Sequence, residues 1–288
     1  MNIERAKQLQ IQGPKGALLY GGDQRWYSSN TRAQGGCGSV AAANALRALA
    51  LNDKGTADLI RTGERIPDQL KEALLKVRPA KDCFEILMTG IYNKMHAFEI
   101  PILNRIYDRK SRDHRLFKII RPNQGQTNTG FIIGIIRFAK SLGINIKVNY
   151  LTTAFADPKE GRSFIEEGLE KSGAVVLMTS YNKHGLKLYP EGAKLDEELK
   201  KGAESSMKCH FATITDMDGD RVLISTWGKP AVGSFMEISS SWQSIKAFES
   251  TLMYITPSDK KEAKTCMFNA YKAFAGGVLK ALTRGKIK

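Results

Sequence analysis

A cysteine flanked by glycines is the residue of this chain best suited to covalent chemistry. Cys37 lies in the run Gly35-Gly36-Cys37-Gly38, and an alanine-rich, apolar segment typical of a buried helix follows at 39–51. If Cys37 begins that helix, the positive end of the helix dipole and the free amide groups of the first turn favour a thiolate over a thiol. The same amides, including that of Cys37, can bind the negative oxygen of a tetrahedral intermediate. The run therefore predicts a nucleophilic thiolate at Cys37.

A thiol nucleophile needs a base, and His210 is the candidate among the four histidines of the chain. It begins a strand-turn-strand unit at 209–228, whose second strand ends near Ser225. A residue near Ser225 is expected to lie across the hairpin from His210, and the short hydroxyl of Ser225 can accept a hydrogen bond from the imidazole. The pattern predicts that His210 takes the proton of Cys37 and that Ser225 orients His210. The other three histidines are expected to be surface or packing residues: His96, His114 and His184.

The elements that must hold these residues change in character along the chain. Up to about residue 140 the signals are helical, and beyond it alternating apolar residues and short apolar runs indicate strands. We expect one α+β domain at 1–256, with a helical lobe at about 30–140, an antiparallel sheet lobe at about 141–256 and the site in the groove between them. A basic C-terminal helix at 257–288, with apolar residues at helical spacing, is expected to dock on that domain.

The turn of the predicted hairpin allows a second interpretation. The run Asp216-Met217-Asp218-Gly219-Asp220 alternates carboxylates in the manner of a calcium-binding loop. Arg221 and Trp227 stand where such a loop carries its glycine and its glutamate, so the Asp-Gly pair favours a simple hairpin turn.

Two groups of motifs together resemble a known enzyme family. The first is Gly36-Cys37-Gly38 at a helix start, followed far along the chain by His210 and Ser225-Thr226-Trp227-Gly228. The second is Tyr20-Gly21-Gly22-Asp23-Gln24-x-Trp26, followed by the glycine-cysteine run and Ala41-Ala42-Ala43-Asn44. The chain resembles the papain-like cysteine peptidase fold over about residues 18–228, and it is similar to uncharacterised bacterial relatives of the bacteriocin-processing cysteine peptidases.

The resemblance implies further roles in the site. Papain-like peptidases carry Asn or Asp where this chain has Ser225, and a glutamine that donates to the oxyanion where this chain has Thr31. Gln24 takes that donor role if an insertion separates it from Cys37, with Asn30 and Gln34 as substitutes. The resemblance also implies a substrate groove along Gly35, Gly36 and Gly38, and a shield of the histidine by Trp227.

Composition and charge limit the partners. The 288 residues include 44 Lys+Arg and 29 Asp+Glu, a formal net charge of +15, which favours acidic partners. Basic stretches at 105–121 and 257–288 indicate an acidic partner or an anionic membrane surface, and no specific nucleic-acid motif accompanies them. No apolar stretch is long enough to span a bilayer, and residues 1–15 lack a secretion-signal segment, so the cytoplasm is the expected compartment.

The sequence thus predicts a cysteine-dependent hydrolase that acts on peptide or isopeptide bonds. Phosphate-binding loop, zinc-protease and serine-hydrolase motifs are missing from the chain, and the proposed chemistry needs no metal and no organic cofactor. Two alternatives remain open. A thiol acyltransferase would use the same residues with an amine as the acceptor, and a non-catalytic basic binding protein would keep the fold without the activity.

Overall fold

The structure is a computed structural model that describes residues 8–28, 30–95, 127–152, 157–179, 185–192, 205–207, 209–240 and 250–283. Its architecture is α+β, with an antiparallel sheet, as the sequence predicts. The basic stretch at 105–121 and three of the four histidines, His96, His114 and His184, lie outside the described residues.

Most helices begin in the first half of the chain. In chain order the helices are α1 (Asn30–Gly35), α2 (Cys37–Asn52), α3 (Lys54–Thr62), α4 (Asp68–Leu75), α5 (Lys81–Tyr92), α6 (Asn128–Ser141), α7 (Pro158–Ser172), α8 (Phe235–Ser240) and α9 (Lys260–Thr283). Side chains cap several of them, as where the Thr127 hydroxyl accepts from the amide of Gly130 at the start of α6. None of the described helices combines the length and the apolarity needed to cross a bilayer.

The strands form two antiparallel sheets, a small one near the start of the chain and a large one in the second half. The strands are β1 (Gln10–Gln12), β2 (Leu18–Tyr20), β3 (Ile146–Thr152), β4 (Val175–Thr179), β5 (Leu186–Pro190), β6 (Ser205–Met207), β7 (His210–Asp218), β8 (Arg221–Thr226), β9 (Lys229–Ser234) and β10 (Thr251–Pro257). Strands β1 and β2 pair with each other, and the rest follow the order β3-β10-β4-β7-β8-β9-β5-β6. The run at 216–220 is the predicted hairpin turn, with Asp218 paired to Arg221 and Gly219 at φ 58°.

The sheet separates two apolar cores because successive side chains of a strand point to opposite faces. Val176 and Met253 pack with the helices of the first half, whereas Val175, Leu177 and Leu252 pack with α7 and α8. The helix α7 interrupts the half that was predicted to be sheet, since it covers the face that the first-half helices leave open.

The helix α2 lies at the centre of the first core and is buried from Cys37 to Ala50. Its alanines allow close approach of neighbouring elements, and α2 contacts β7, α5 and α4. Arg47, fully buried on α2, donates to the carbonyl oxygens of Gln8, Ala73 and Lys76 at 2.6 to 2.8 Å. These bonds fix α2 relative to the chain start and to α4, and so fix the position of its first residue.

The helix α9 packs on the parent domain through part of its length. Ala263 and Ala270 are buried in the first core, and Cys266, Met267 and Tyr271 pack against it. The Tyr271 hydroxyl accepts from Arg137 on α6 at 2.8 Å, which ties the two helices together.

Candidate active site

Cys37 is the first residue of α2, where the sequence places it. Gly36 precedes the helix, and a Cβ at Gly36 would stand 2.5 Å from Cε2 of Tyr27, so this close approach requires glycine. The Tyr27 hydroxyl is hydrogen-bonded to Ser39 Oγ at 2.7 Å, and the Ser39 hydroxyl donates to the carbonyl of Gly36. The helix start is therefore held in one geometry, as a nucleophile requires.

Cys37 and His210 line the same cleft, of about 210 Å³, between the start of α2 and the ends of β7 and β8. Gln24, Thr226 and Trp227 line it as well. The amide of Phe211, next to His210, also points to the sulfur of Cys37. The topology thus brings the predicted nucleophile and the predicted base, 173 positions apart, to one opening.

The protonation state of Cys37 differs from the expectation. Burial raises the pKa of the Cys37 thiol, and the amides of Phe211, Gly38 and Cys37 lower the pKa by less. The helix start acts in the predicted direction, but the cost of placing a charge in a nearly closed site outweighs it. Burial therefore opposes the predicted thiolate and favours a neutral thiol in the free protein.

Thr226, and not Ser225, lies against the imidazole. His210 Nε2 is 2.9 Å from Thr226 Oγ1. Ser225 is paired with Thr213 in the sheet, and side chains alternate along a strand, so the next residue reaches His210. The hydroxyl expected to accept a hydrogen bond from His210 is thus that of Thr226, one position after Ser225.

The ring of Trp227 covers His210. The two ring centroids are 4.8 Å apart and the planes are 30° apart, a stacked arrangement. Trp227 has a φ of 50°, in the left-handed region that non-glycine residues seldom adopt. The indole removes water from one face of the imidazole, which is the shielding that the resemblance implies.

Burial dominates the electrostatics of His210. It lowers the pKa of His210 to about 4, against a smaller upward effect of the Asp23 carboxylate. The imidazole is therefore neutral at neutral pH and able to accept a proton. Together with the neutral thiol, this gives an uncharged resting pair.

Ser225 and Asn44 connect α2 to the segment that carries Gln24. The Ser225 hydroxyl donates to the carbonyl of Tyr20 at 2.8 Å. Asn44 Nδ2 donates to Thr213 Oγ1 at 3.2 Å and to Ser225 Oγ at 3.4 Å, while its Oδ1 accepts from the amide of Gly22 at 3.1 Å. Ser225 therefore has a positioning role at the centre of the site rather than a contact with the base.

Asp23 and Arg25 hold the next segment in place. Asp23 is buried and accepts from Arg25, whose Nη2 also donates to the carbonyl of Trp227 at 3.1 Å. Between them lies Gln24, at the start of a short 3-10 turn, and its buried Oε1 has no hydrogen-bond partner among the described residues. The hydrogen bonds of Arg25 to Asp23 and Trp227 therefore hold Gln24 at the cleft that contains Cys37, with its Oε1 unpaired among the described residues.

The structure brings five of the predicted site residues to this cleft: Cys37, His210, Gln24, Ser225 and Trp227. Gly35, Gly36 and Gly38, the expected substrate groove, are buried and do not line this cleft. The side chains of Asn30, Thr31 and Gln34 lie outside the described residues.

Three residues of the site carry no predicted role: Thr226, Asp23 and Asn44. The run Gly21-Gly22-Asp23 contained a signal, because paired glycines before a carboxylate indicate a tight backbone approach next to a buried charge. Side chains alternate between the two faces of a strand, so Thr226 could have been assigned in place of Ser225 only if the register of the hairpin had been known.

In comparisons with known proteins, the chain matches no family model and no curated protein.

Proposed function

We propose that the protein is a cysteine-dependent hydrolase of peptide or isopeptide bonds, on a two-lobed papain-like fold. The observation that carries the proposal is the shared cleft, in which Cys37 at the start of a buried helix and His210 at the start of a strand stand together. The fold proposal is supported by the packing of the helices of the first half on one face of the antiparallel sheet.

The first half-reaction forms a thioester. A carbonyl carbon of the substrate enters the cleft, the Cys37 sulfur forms a bond to it, and the thiol proton passes to His210. Thr226 keeps hydrogen-bond contact with Nε2, which leaves Nδ1 to exchange the proton. His210 then gives the proton to the leaving amine as the carbon–nitrogen bond breaks.

The second half-reaction restores the enzyme. Water gives a proton to His210 and its oxygen attacks the thioester carbonyl. The carbon–sulfur bond breaks, the acid product leaves, and the proton returns to Cys37. In both halves the negative oxygen of the tetrahedral intermediate is stabilised by the amide of Cys37 and by Gln24. A half-turn of the Gln24 amide exchanges its oxygen and nitrogen, so the unpaired end on the cleft serves as a donor.

The uncharged resting pair makes proton transfer part of the attack. A neutral imidazole with a pKa of about 4 accepts the thiol proton as the carbon–sulfur bond forms, and not before the substrate binds. Activity should therefore fall as the pH approaches 4, because His210 is then protonated and no longer a base.

Digestion of a mixed peptide library by the full chain tests the proposed function. The library includes lysine-branched isopeptides, and mass spectrometry identifies new termini. We expect cleavage that Cys37→Ala and His210→Gln abolish and that Cys83→Ala leaves unchanged, because Cys83 is a half-buried thiol outside the cleft. Cleavage that persists in Cys37→Ala, or no cleavage by the unaltered chain, would reject the proposal.

Simple alkylation is a poor substitute for this digest. Cys209 is exposed whereas Cys37 is buried, so a small alkylating reagent reports access rather than catalytic reactivity. A substrate-like carbonyl is needed, since it alone uses the cleft and the base.

A further inference from the structure

A second pocket, of about 240 Å³, lies between α6 and α9, and its lining combines an apolar floor with a cationic rim. Ile136, Ile144 and Met267 contribute to the floor. The rim carries three exposed ammonium groups, those of Lys140, Lys260 and Lys264. Lysines from the end of one helix and the start of another, far apart in the chain, thus converge on one opening.

Among the described residues, the ammonium groups of this pocket have no carboxylate partner. No carboxylate of the described residues forms an ion pair with Lys140, Lys260 or Lys264, and none lines the pocket. Glu262 is nearby in sequence, but it is paired with Lys147 on β3 at 2.9 Å and caps the helix start through the amide of Asp259. Converging like charges repel one another, so an anion that bound here would relieve a repulsion already present.

An exposed aromatic ring extends the cationic rim along α9. Lys260, Lys264 and Phe268 follow one another at four-residue spacing, so they share one stripe of the helix surface. Phe268 is 66% exposed, whereas Ala263 and Ala270 of the same helix are buried in the core. The outer stripe of α9 therefore presents cations and one large apolar group to the surroundings.

We propose that this pocket and stripe dock the protein on an anionic lipid surface. The phosphate of a headgroup is bound by Lys140, Lys260 and Lys264, and the ring of Phe268 enters the boundary between headgroups and acyl chains. The exposed phenyl ring favours a membrane over a free anion, because a soluble phosphate leaves Phe268 in water.

Vesicle co-sedimentation with the full chain tests this inference. We expect binding to phosphatidylcholine vesicles that contain a third of phosphatidylglycerol, and none to pure phosphatidylcholine. Each lysine near such a surface contributes roughly fivefold in affinity, so Lys140→Gln, Lys260→Gln and Lys264→Gln together should weaken binding by on the order of a hundredfold. Phe268→Ala should weaken binding too, at unchanged net charge.

A matched triple variant controls for net charge. Lys54→Gln, Lys94→Gln and Lys159→Gln remove three exposed ammonium groups elsewhere on the surface, and we expect a much smaller loss of vesicle binding. Equal losses in the two triple variants would overturn the inference. Full competition by inorganic phosphate with no effect of Phe268→Ala would assign the pocket to a free anion, and equal affinity for a mixed-sequence DNA duplex would assign it to polyanions; either result contradicts lipid docking.

Discussion

Thr226 is the side chain that orients the imidazole of His210, at 2.9 Å from Nε2. A hydroxyl carries no charge, so it fixes the ring without stabilising the imidazolium as a carboxylate does. Burial then decides the protonation of both partners, since it raises the pKa of Cys37 and lowers that of His210. At the residue scale, the proposed mechanism is therefore general-base catalysis by a pair that becomes charged only during attack.

The exchange of roles between Thr226 and Ser225 is testable by substitution. Thr226→Val removes the partner of a buried ring nitrogen, and we expect kcat/KM on a library-derived peptide to fall roughly tenfold or more. Thr226→Ser keeps the hydroxyl and should retain most of the activity. Ser225→Ala is expected to cost about 1 kcal/mol of unfolding free energy with a smaller effect on kcat/KM. A larger loss of turnover in Ser225→Ala than in Thr226→Val would contradict the assignment.

The pKa of His210 also predicts a pH dependence of stability. The folded state holds this pKa near 4, below the value of 6.5 for an unperturbed histidine, so the unfolded state binds the proton first as the pH falls. The neutral, buried His210 therefore contributes roughly 3 kcal/mol to the free energy of unfolding above pH 6.5, and this contribution is lost as the pH falls toward 4.

Urea unfolding of the full chain at several pH values measures this contribution. His210→Gln should flatten the slope of unfolding free energy against pH between pH 6.5 and 4, whatever its effect on absolute stability. An unchanged slope in His210→Gln would show that the imidazole is not buried as the structure has it.

The sequence predicts that Cys37 and His210 share one site, and the structure places both at one cleft, but the sequence does not assign Thr226. A single irregularity explains why. Between Ile214 and Asp216 the pairing of β7 with β8 shifts by one position, so that Thr213 faces Ser225. A bulge of this kind decides which of two neighbouring hydroxyls lies beside the histidine. Glycine and cysteine spacing is visible in a sequence, whereas the position of a bulge depends on packing of the whole sheet.

At the scale of elements, the active geometry depends on three pieces that meet at Gly21. The end of β2, the middle of α2 and the end of β8 are joined there by the hydrogen bonds of Ser225 and Asn44. Gly21 has a φ of 74°, and a Cβ at this position would collide with Ser225 Oγ and with Asn44 Nδ2. The glycine thus satisfies both a left-handed backbone and a crowded junction.

Gly16 provides a matched control for this junction. It has a φ of 78°, but a Cβ there would meet nothing within 4 Å. Gly16→Ala should lower the free energy of unfolding by about 1 kcal/mol, which is the cost of a left-handed backbone for alanine. Gly21→Ala should cost roughly 1 to 3 kcal/mol more and also lower kcat/KM, because the crowded side chains must move. Chemical denaturation and peptide turnover measure the two effects, and equal losses in both variants would show that the junction is not tightly packed.

Element prediction succeeds where local signals and periodicity agree. The buried helix after Cys37, the hairpin and the strand at Thr251–Pro257 follow from apolar runs and turn residues. The helix α7 carries its own end signals, Asp157 and Pro158 at its start and a left-handed Gly173 after its end, but it lies among strand signals that dominate the second half. Which face of the sheet needs covering is a property of the assembled fold, so the sequence pattern alone does not show it.

At the scale of the whole molecule, the two predicted lobes share one core. A single apolar cluster contains Ala41 of α2, Val176 and Met253 of the sheet, and Ala263 of α9. Elements from the helical half, the sheet half and the C-terminal helix therefore lose the same buried contacts on unfolding. The cleft lies at the margin of this shared core, which holds Cys37 and His210 at a fixed separation.

The shared core predicts cooperative unfolding. Tryptophan fluorescence reports the surroundings of Trp26 and Trp227 near the cleft and of Trp242, which lies outside the described residues. Far-ultraviolet circular dichroism reports the helices. We expect the two signals to give coincident urea transitions. Separate transitions, with helical signal lost before or after fluorescence, would contradict a core shared by the helical half and the sheet half.

Capture of the acyl-enzyme is the most direct test of the central claim, that Cys37 attacks a carbonyl with His210 as its base. The full chain is incubated with a peptide thioester, quenched in acid and mapped by mass spectrometry. The account predicts an acyl mass on the fragment that contains Cys37, absent in Cys37→Ala and strongly reduced in His210→Gln, with Cys209 unmodified. An acyl group on Cys209, or acylation of Cys37 that is unaffected by His210→Gln, would contradict it.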